Sequence, residues 1–149
     1  AEKNGDRFTL ETETLLFAAD RYEHVKQVVA PALKKGMVVI SDRYFYSSIA
    51  YQGATGIDLD WIREMNRFAP QPDLGILLDI LPEYSLERVN GRAKTVFEVS
   101  DYLRKVREIY LGMVERGVLV SVDADRPKEE VRADIRGLID GLLEGRAGS

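Results

Sequence analysis

Cysteine is absent from the 149 residues and histidine occurs once. Without cysteine there is no disulfide framework, no thiolate zinc site and no thiol nucleophile, and one histidine cannot build a histidine-rich metal centre. No apolar run approaches the roughly eighteen residues of a membrane span, and the start, Ala1 to Leu10, is polar and unlike a signal peptide. Basic excess is lacking too: 21 Lys and Arg stand against 25 Asp and Glu, a formal net charge of −4, with the two signs interspersed. Such a chain has no electrostatic footprint for duplex nucleic acid, so any phosphate must be held by a few placed cations. The expectation is a soluble, cytoplasmic protein with neither nucleic acid nor membrane as partner.

What remains is ample for one core. With 45% hydrophobic residues, the chain falls within the single-domain range, and residues 1–149 are expected to form one domain. From Thr9 to Lys35, Leu15, Leu16, Ala19, Tyr22, Val25, Val29 and Leu33 recur at three- and four-residue spacing, which predicts a long amphipathic helix kinked or restarted near Pro31. Gly36 stops it. Met37 to Ile40 is a short continuous apolar run that reads as a buried parallel strand. Short helices are expected over Phe45 to Tyr51 and over Asp58 to Phe68, the second with Asp58 as N-cap. Leu74 to Ile80 predicts a second strand and Glu83 to Asn90 a helix. After a basic interruption, Phe97, Tyr102, Val106, Tyr110 and Met113 mark a long helix that ends at Gly117, followed by a strand over Val118 to Val122 and a terminal amphipathic helix. Alternation without hairpin signals predicts an α/β fold, a parallel sheet flanked by helices. Three strands are few for such a sheet, as though the chain begins part-way through the fold.

In open α/β sheets ligands bind beyond the carboxyl ends of the strands, so the residues after Ile40 and Leu78 are the first to consider. Asp42, Arg43 and Asp79 stand there. An arginine so placed can grip a phosphate with two donors, and a neighbouring carboxylate can hold Mg²⁺ or accept a proton. A strand-end ion pair or cap is the plainer reading of the same residues. Phe17 and Arg21, four apart on the first helix, project from one face and can act on one ligand; alone, they read equally as a core phenylalanine and a solvated arginine. His24, Trp61 and Phe68 read as structural residues, and Asp79 as either a metal neighbour or a cap.

Four strings, in order, narrow these choices: Leu15-Leu16-Phe17-Ala18-Ala19-Asp20-Arg21, Asp42-Arg43-Tyr44, Ser47-Ser48-Ile49-Ala50-Tyr51-Gln52-Gly53, and Pro72-Asp73-Leu74 leading into Leu77-Leu78-Asp79. From about Leu10 to the C-terminus the chain resembles the thymidylate kinase family of P-loop nucleotide kinases. The resemblance implies a P-loop nucleoside monophosphate kinase-like fold and the transfer of a phosphoryl group from ATP to dTMP, giving dTDP for dTTP biosynthesis. It implies Mg²⁺ as cofactor, ATP as co-substrate and a homodimer packed through helices. It further implies that Phe17 stacks on thymine, that Arg21 bonds the base or reaches toward the phosphate, and that Arg43 binds the monophosphate. By the same resemblance Asp42 serves near the metal and the reacting phosphates, and Tyr51 packs by the deoxyribose. Ser47, Ser48 and Gln52 fall where the family lines the base and sugar pocket; as small polar residues they read equally as helix caps or surface. The stretch 88–95 resembles the family's basic lid, with Arg92 and Lys94 as catalytic cations and Arg88 and Arg92 as ATP contacts.

One family feature is missing. No string of the form GxxxxGK[ST] occurs in these 149 residues, and the only early glycine, Gly5, lacks the Lys-Ser or Lys-Thr pair. The fold is therefore expected to be incomplete at its N-terminus, and the 149 residues alone are not expected to form a stable active kinase. Two alternatives stay open at this point: another P-loop nucleoside or nucleotide kinase, or a non-catalytic nucleotide-binding or dimerisation remnant.

Overall fold

The computed structural model describes the backbone of residues 8–84 and 96–147. It divides into two compact units, Ala1–Pro70 and Gln71–Ser149. The lid expected at 88–95, with Arg88, Arg92 and Lys94, and most of the helix expected over 83–90 lie outside the described residues.

In the first unit α1 spans Leu10–His24 and starts where the Thr9 hydroxyl accepts the Thr12 N–H at 3.3 Å. It runs directly into a π-helical stretch, Val25–Val29, and then α2, Ala30–Lys34. The interruption has a local cause. Pro31 has no N–H, and its ring would press on the carbonyl four residues earlier in a regular helix. Widening the preceding turn, so that the Ala30 N–H bonds the Val25 carbonyl, carries the helix past this point. Gly36, at φ 72°, ends α2: its N–H bonds the Leu33 carbonyl at 2.9 Å and the Met37 N–H bonds Ala32 at 3.1 Å, the double closure of a Schellman turn.

The strand expected over Met37 to Ile40 does not form. These residues pair with no strand, and Met37, Val38 and Ile40 are exposed, Ile40 at 84%. An apolar run becomes a strand only if a neighbour exchanges backbone hydrogen bonds with it, and the described residues of the first unit contain no strand. Beyond this segment come α3, Phe45–Ala54, and α4, Leu59–Met65. Asp58 caps α4 as expected, its Oδ1 accepting the Trp61 N–H at 2.7 Å. Ala18, Val25, Val29, Phe45, Ile49, Ala50 and Ile62 form the unit's core, with α1 packed on α3 and α4.

The second unit is a β-α-β arrangement. β1, Ile76–Asp79, and β2, Val120–Asp123, run parallel in the register Ile76 to Val120 through Asp79 to Asp123. The helix between them, α5 at Val96–Glu115, packs on both strands, as a parallel pair joined by a crossover requires. Gly117 closes α5 with the same double turn, at φ 70°, through 2.9 Å bonds from Gly117 to Val114 and from Val118 to Met113. The terminal helix α6, Lys128–Ala147, packs on β2. Asp79 is fixed structurally: its two oxygens accept Arg107 Nε and Nη2, each at 2.7 Å. The chain is thus helix-rich with a small parallel sheet, an α/β fold of two strands rather than three.

Candidate active site

A cleft of about 480 Å³ opens in the first unit between the C-terminal half of α1, the loop before α3 and the first turns of α3. Helical spacing puts Phe17, Asp20, Arg21 and His24 on one face of α1, and all four line the cleft. The loop adds Ser41, Asp42, Arg43 and Tyr44, and α3 adds Ser47, Ser48 and Gln52. Seven of the residues singled out in the sequence, Phe17, Arg21, Asp42, Arg43, Ser47, Ser48 and Gln52, therefore meet around one cavity.

Each of the two arginines in the wall is held in place. Arg21 donates through Nη1 to Asn66 Oδ1 at 2.5 Å and through Nη2 to Ser48 Oγ at 2.9 Å, and its guanidinium lies 6.0 Å from the centre of the Tyr44 ring. Burial lowers the Arg21 pKa from its ordinary value, with opposing contributions from Tyr44 and Asp20. Both direct acceptors are neutral, so its positive charge remains uncancelled by a contact carboxylate. Arg43 donates from Nε to Ser47 Oγ at 2.7 Å, and its guanidinium stacks over the Tyr51 ring at 4.4 Å. With Nε engaged and one face covered, the two terminal nitrogens form the free end of the fork, the geometry suited to a phosphate.

The backbone contributes to that aim. Arg43 has φ 64°, the only positive value at a non-glycine among the described residues. A side chain in the left-handed region costs about 1–2 kcal/mol, a conformation that persists where the surroundings impose it and that gathers at ligand sites. The Ser41 hydroxyl, donating to the Arg43 carbonyl at 2.8 Å, is one such restraint. Tyr44, the next residue, has a buried hydroxyl without a hydrogen-bond partner among the described residues, and burial raises its pKa.

A model of the thymidylate kinase family matches residues 2–135. A probable thymidylate kinase of Thermococcus onnurineus is 49% identical over 143 residues, covering 94% of this chain and 70% of the relative. One of Archaeoglobus fulgidus is 48% identical over 140 residues, covering 93% and 71%, and one of Pyrobaculum aerophilum 44% over 132 residues, covering 88% and 69%. The chain belongs to the thymidylate kinase family.

Within this thymidylate kinase chain the cleft holds more than the sequence singled out. His24, read as structural, is exposed and lines it, as does Asp20. Asn66, which anchors Arg21, was not singled out at all; it lies 45 positions away, beyond the reach of any local pattern. Tyr51 is not among the lining residues and instead carries the Arg43 guanidinium. Asp79, paired with Arg107 in the second unit, acts as a structural anchor. Phe68 meets Tyr22 edge-on at 4.8 Å, as a packed ring does, whereas Trp61 is 37% exposed and borders a separate cleft beside Leu10 and Asp58.

The donor set suits a hard cation held in part by its substrate. Among the described residues no group of three or more histidine, cysteine, aspartate or glutamate side chains could cage an ion. Asp42 supplies one exposed carboxylate at the cleft, and Mg²⁺ commonly takes one or two carboxylates and completes its shell with water and phosphate oxygens.

Proposed function

We propose that the protein catalyses phosphoryl transfer from ATP to dTMP, giving dTDP and ADP, and that the cleft of the first unit is the dTMP site. One observation carries the assignment of the cleft: two arginines, Arg21 and Arg43, each oriented by neutral partners, converge on it beside the ring of Phe17. A nucleoside monophosphate has a flat base and a dianion at its two ends, and this wall offers a stacking ring, a recessed cation and a free guanidinium fork.

In the reaction Phe17 stacks on the base, and Arg21 with Ser48 bonds its polar edge. Arg43 holds the monophosphate, whose oxygen attacks the γ-phosphorus of ATP. Phosphoryl transfer needs little covalent help from the protein, so positioning and charge compensation supply most of the catalysis. Asp42 lies close enough in sequence to the Arg43 fork to steer the attacking oxygen or hold Mg²⁺, which when bound neutralises charge on the phosphates. Arg88, Arg92 and Lys94 are the cations we assign to ATP and to the transferring group. The protein is further read as a cytoplasmic homodimer. Exposed Leu15 and Leu16 on α1 support an association surface, and no helix of the described residues is long and apolar enough to cross a membrane.

Turnover of dTMP, dUMP, UMP and thymidine with ATP and Mg²⁺, followed by ADP release, tests the assignment. Fastest turnover per unit concentration is expected for dTMP. Preference for UMP or for thymidine would overturn it, the first pointing to a ribonucleotide kinase and the second to a nucleoside kinase.

A further inference from the structure

Arg21 is anchored by a residue that the proposed reaction does not use. Asn66, at the end of α4, is 97% buried, and its Nδ2 donates to the Ile62 carbonyl at 2.8 Å. A backbone carbonyl can only accept, so this bond fixes which end of the amide is which. The oxygen must then point at Arg21, and a guanidinium can only donate; the 2.5 Å contact from Nη1 to Oδ1 satisfies both ends. From Arg21 the chain continues through Nη2 to Ser48 Oγ at 2.9 Å. Since the serine oxygen is accepting, its own hydrogen can only be given away. Direction is therefore set along the whole path, from Ile62 through Asn66 and Arg21 to Ser48, by one backbone carbonyl.

We propose that Asn66 is a positioning residue that locks Arg21 and Ser48 as donors toward the base, making the cleft select a pyrimidine with a 4-oxo group over one with a 4-amino group. The inference rests on the reading of the cleft as the dTMP site. An oxo group accepts from such an edge, whereas an amino group brings donors against donors and leaves buried polar groups unpaired, the situation in which discrimination is strongest. Two of the five N–H groups of Arg21 are engaged by Asn66 and Ser48, and the remainder are available to a ligand acceptor. Asparagine suits the anchoring role better than a carboxylate would in one respect: it orients the guanidinium while leaving its charge uncancelled.

Calorimetric titration of the intact protein with dTMP and with dCMP, for the wild type, Asn66→Leu and Asn66→Asp, tests this, with thermal melting to establish folding. Asn66→Leu keeps the volume and removes the acceptor. It is expected to weaken dTMP by about tenfold, the worth of one charge-assisted bond, while changing dCMP by less than about threefold. Asn66→Asp keeps an acceptor toward Arg21 and is expected to restore most of the preference for dTMP. Equal weakening of both ligands by Asn66→Leu, or an unchanged preference, overturns the proposal. If Asn66→Leu gives no melting transition, Asn66→Asp decides: a folded variant without the preference overturns it. A wild type that binds dCMP as well as dTMP sinks the substrate reading itself, whereas a wild type that prefers dTMP alongside an unaffected Asn66→Leu sinks only the role of Asn66.

Discussion

Replacing Arg43 by glycine and, separately, by alanine separates what its backbone does from what its side chain does. Both variants lose the Nε bond to Ser47 and the stacking on Tyr51, contacts worth about 0.5–1 kcal/mol each at a partly exposed site. Alanine keeps the penalty of a side chain at φ 64°, and glycine removes it. After allowance for the greater freedom of glycine in the unfolded chain, Arg43→Gly should be more stable than Arg43→Ala by about 1 kcal/mol. For a chain of this size that is a difference of about 2–4 °C in Tm. Arg43→Gly itself should fall within about 1 kcal/mol of the wild type. Ligand binding should ignore the distinction: both variants should lose at least about tenfold in dTMP affinity and leave thymidine, which has no phosphate, nearly unchanged. Thermal melting together with calorimetry of the two ligands reads every quantity. Alanine as stable as glycine would refute the backbone argument, and equal losses for dTMP and thymidine would refute the phosphate assignment.

Three other outcomes are expected. A double-mutant cycle on Asp79→Ala and Arg107→Ala should give a coupling of about 1–2 kcal/mol in urea unfolding, since the pair is bidentate but partly exposed; a coupling near zero would mean that it does not hold β1 to α5. Gly117→Ala should destabilise by about 1 kcal/mol despite open space around the Cβ, because the cost is the φ of 70°; an unchanged Tm would contradict that origin. Glu83 is held below the ordinary carboxyl value by its own backbone N–H first and Arg104 second, so its contribution is present above about pH 4.5 and lost as pH falls through the lower folded value. The Tm gap between wild type and Glu83→Gln should accordingly narrow below that pH, and a gap independent of pH would count against the pairing.

Local signals were read correctly where local physics decides. Asp58 as a cap and the glycine stops at Gly36 and Gly117 follow from side-chain reach and backbone freedom within a few residues, and the structure has all three. The shared face of Phe17 and Arg21 follows from helical periodicity in the same way. Met37 to Ile40 misled because hydrophobic run and propensity describe fitness for a sheet, while the pairing partner is a property of the whole fold. Arg43 carries no residue-type signal for a left-handed backbone; a glycine or asparagine at that place would have. Asn66 and Arg107 reach their partners across 45 and 28 positions, and a single sequence holds no pattern that links such pairs.

The widened turn at Val25–Val29 also governs how this helix can change in length. A π-helical turn counts as one residue more than an α-turn, so α1 and α2 are separately phased around their common axis. Deleting one residue inside 25–29 would restore an ordinary turn and rotate only the residues that follow, by about 100°. Phe17, Asp20, Arg21 and His24 would keep their shared face. The same deletion between Phe17 and His24 would divide the cleft wall. Insertions and deletions in this helix are therefore unequal by position: the stretch just beyond His24 is a phase joint, where length can drift while the wall before it stays in register.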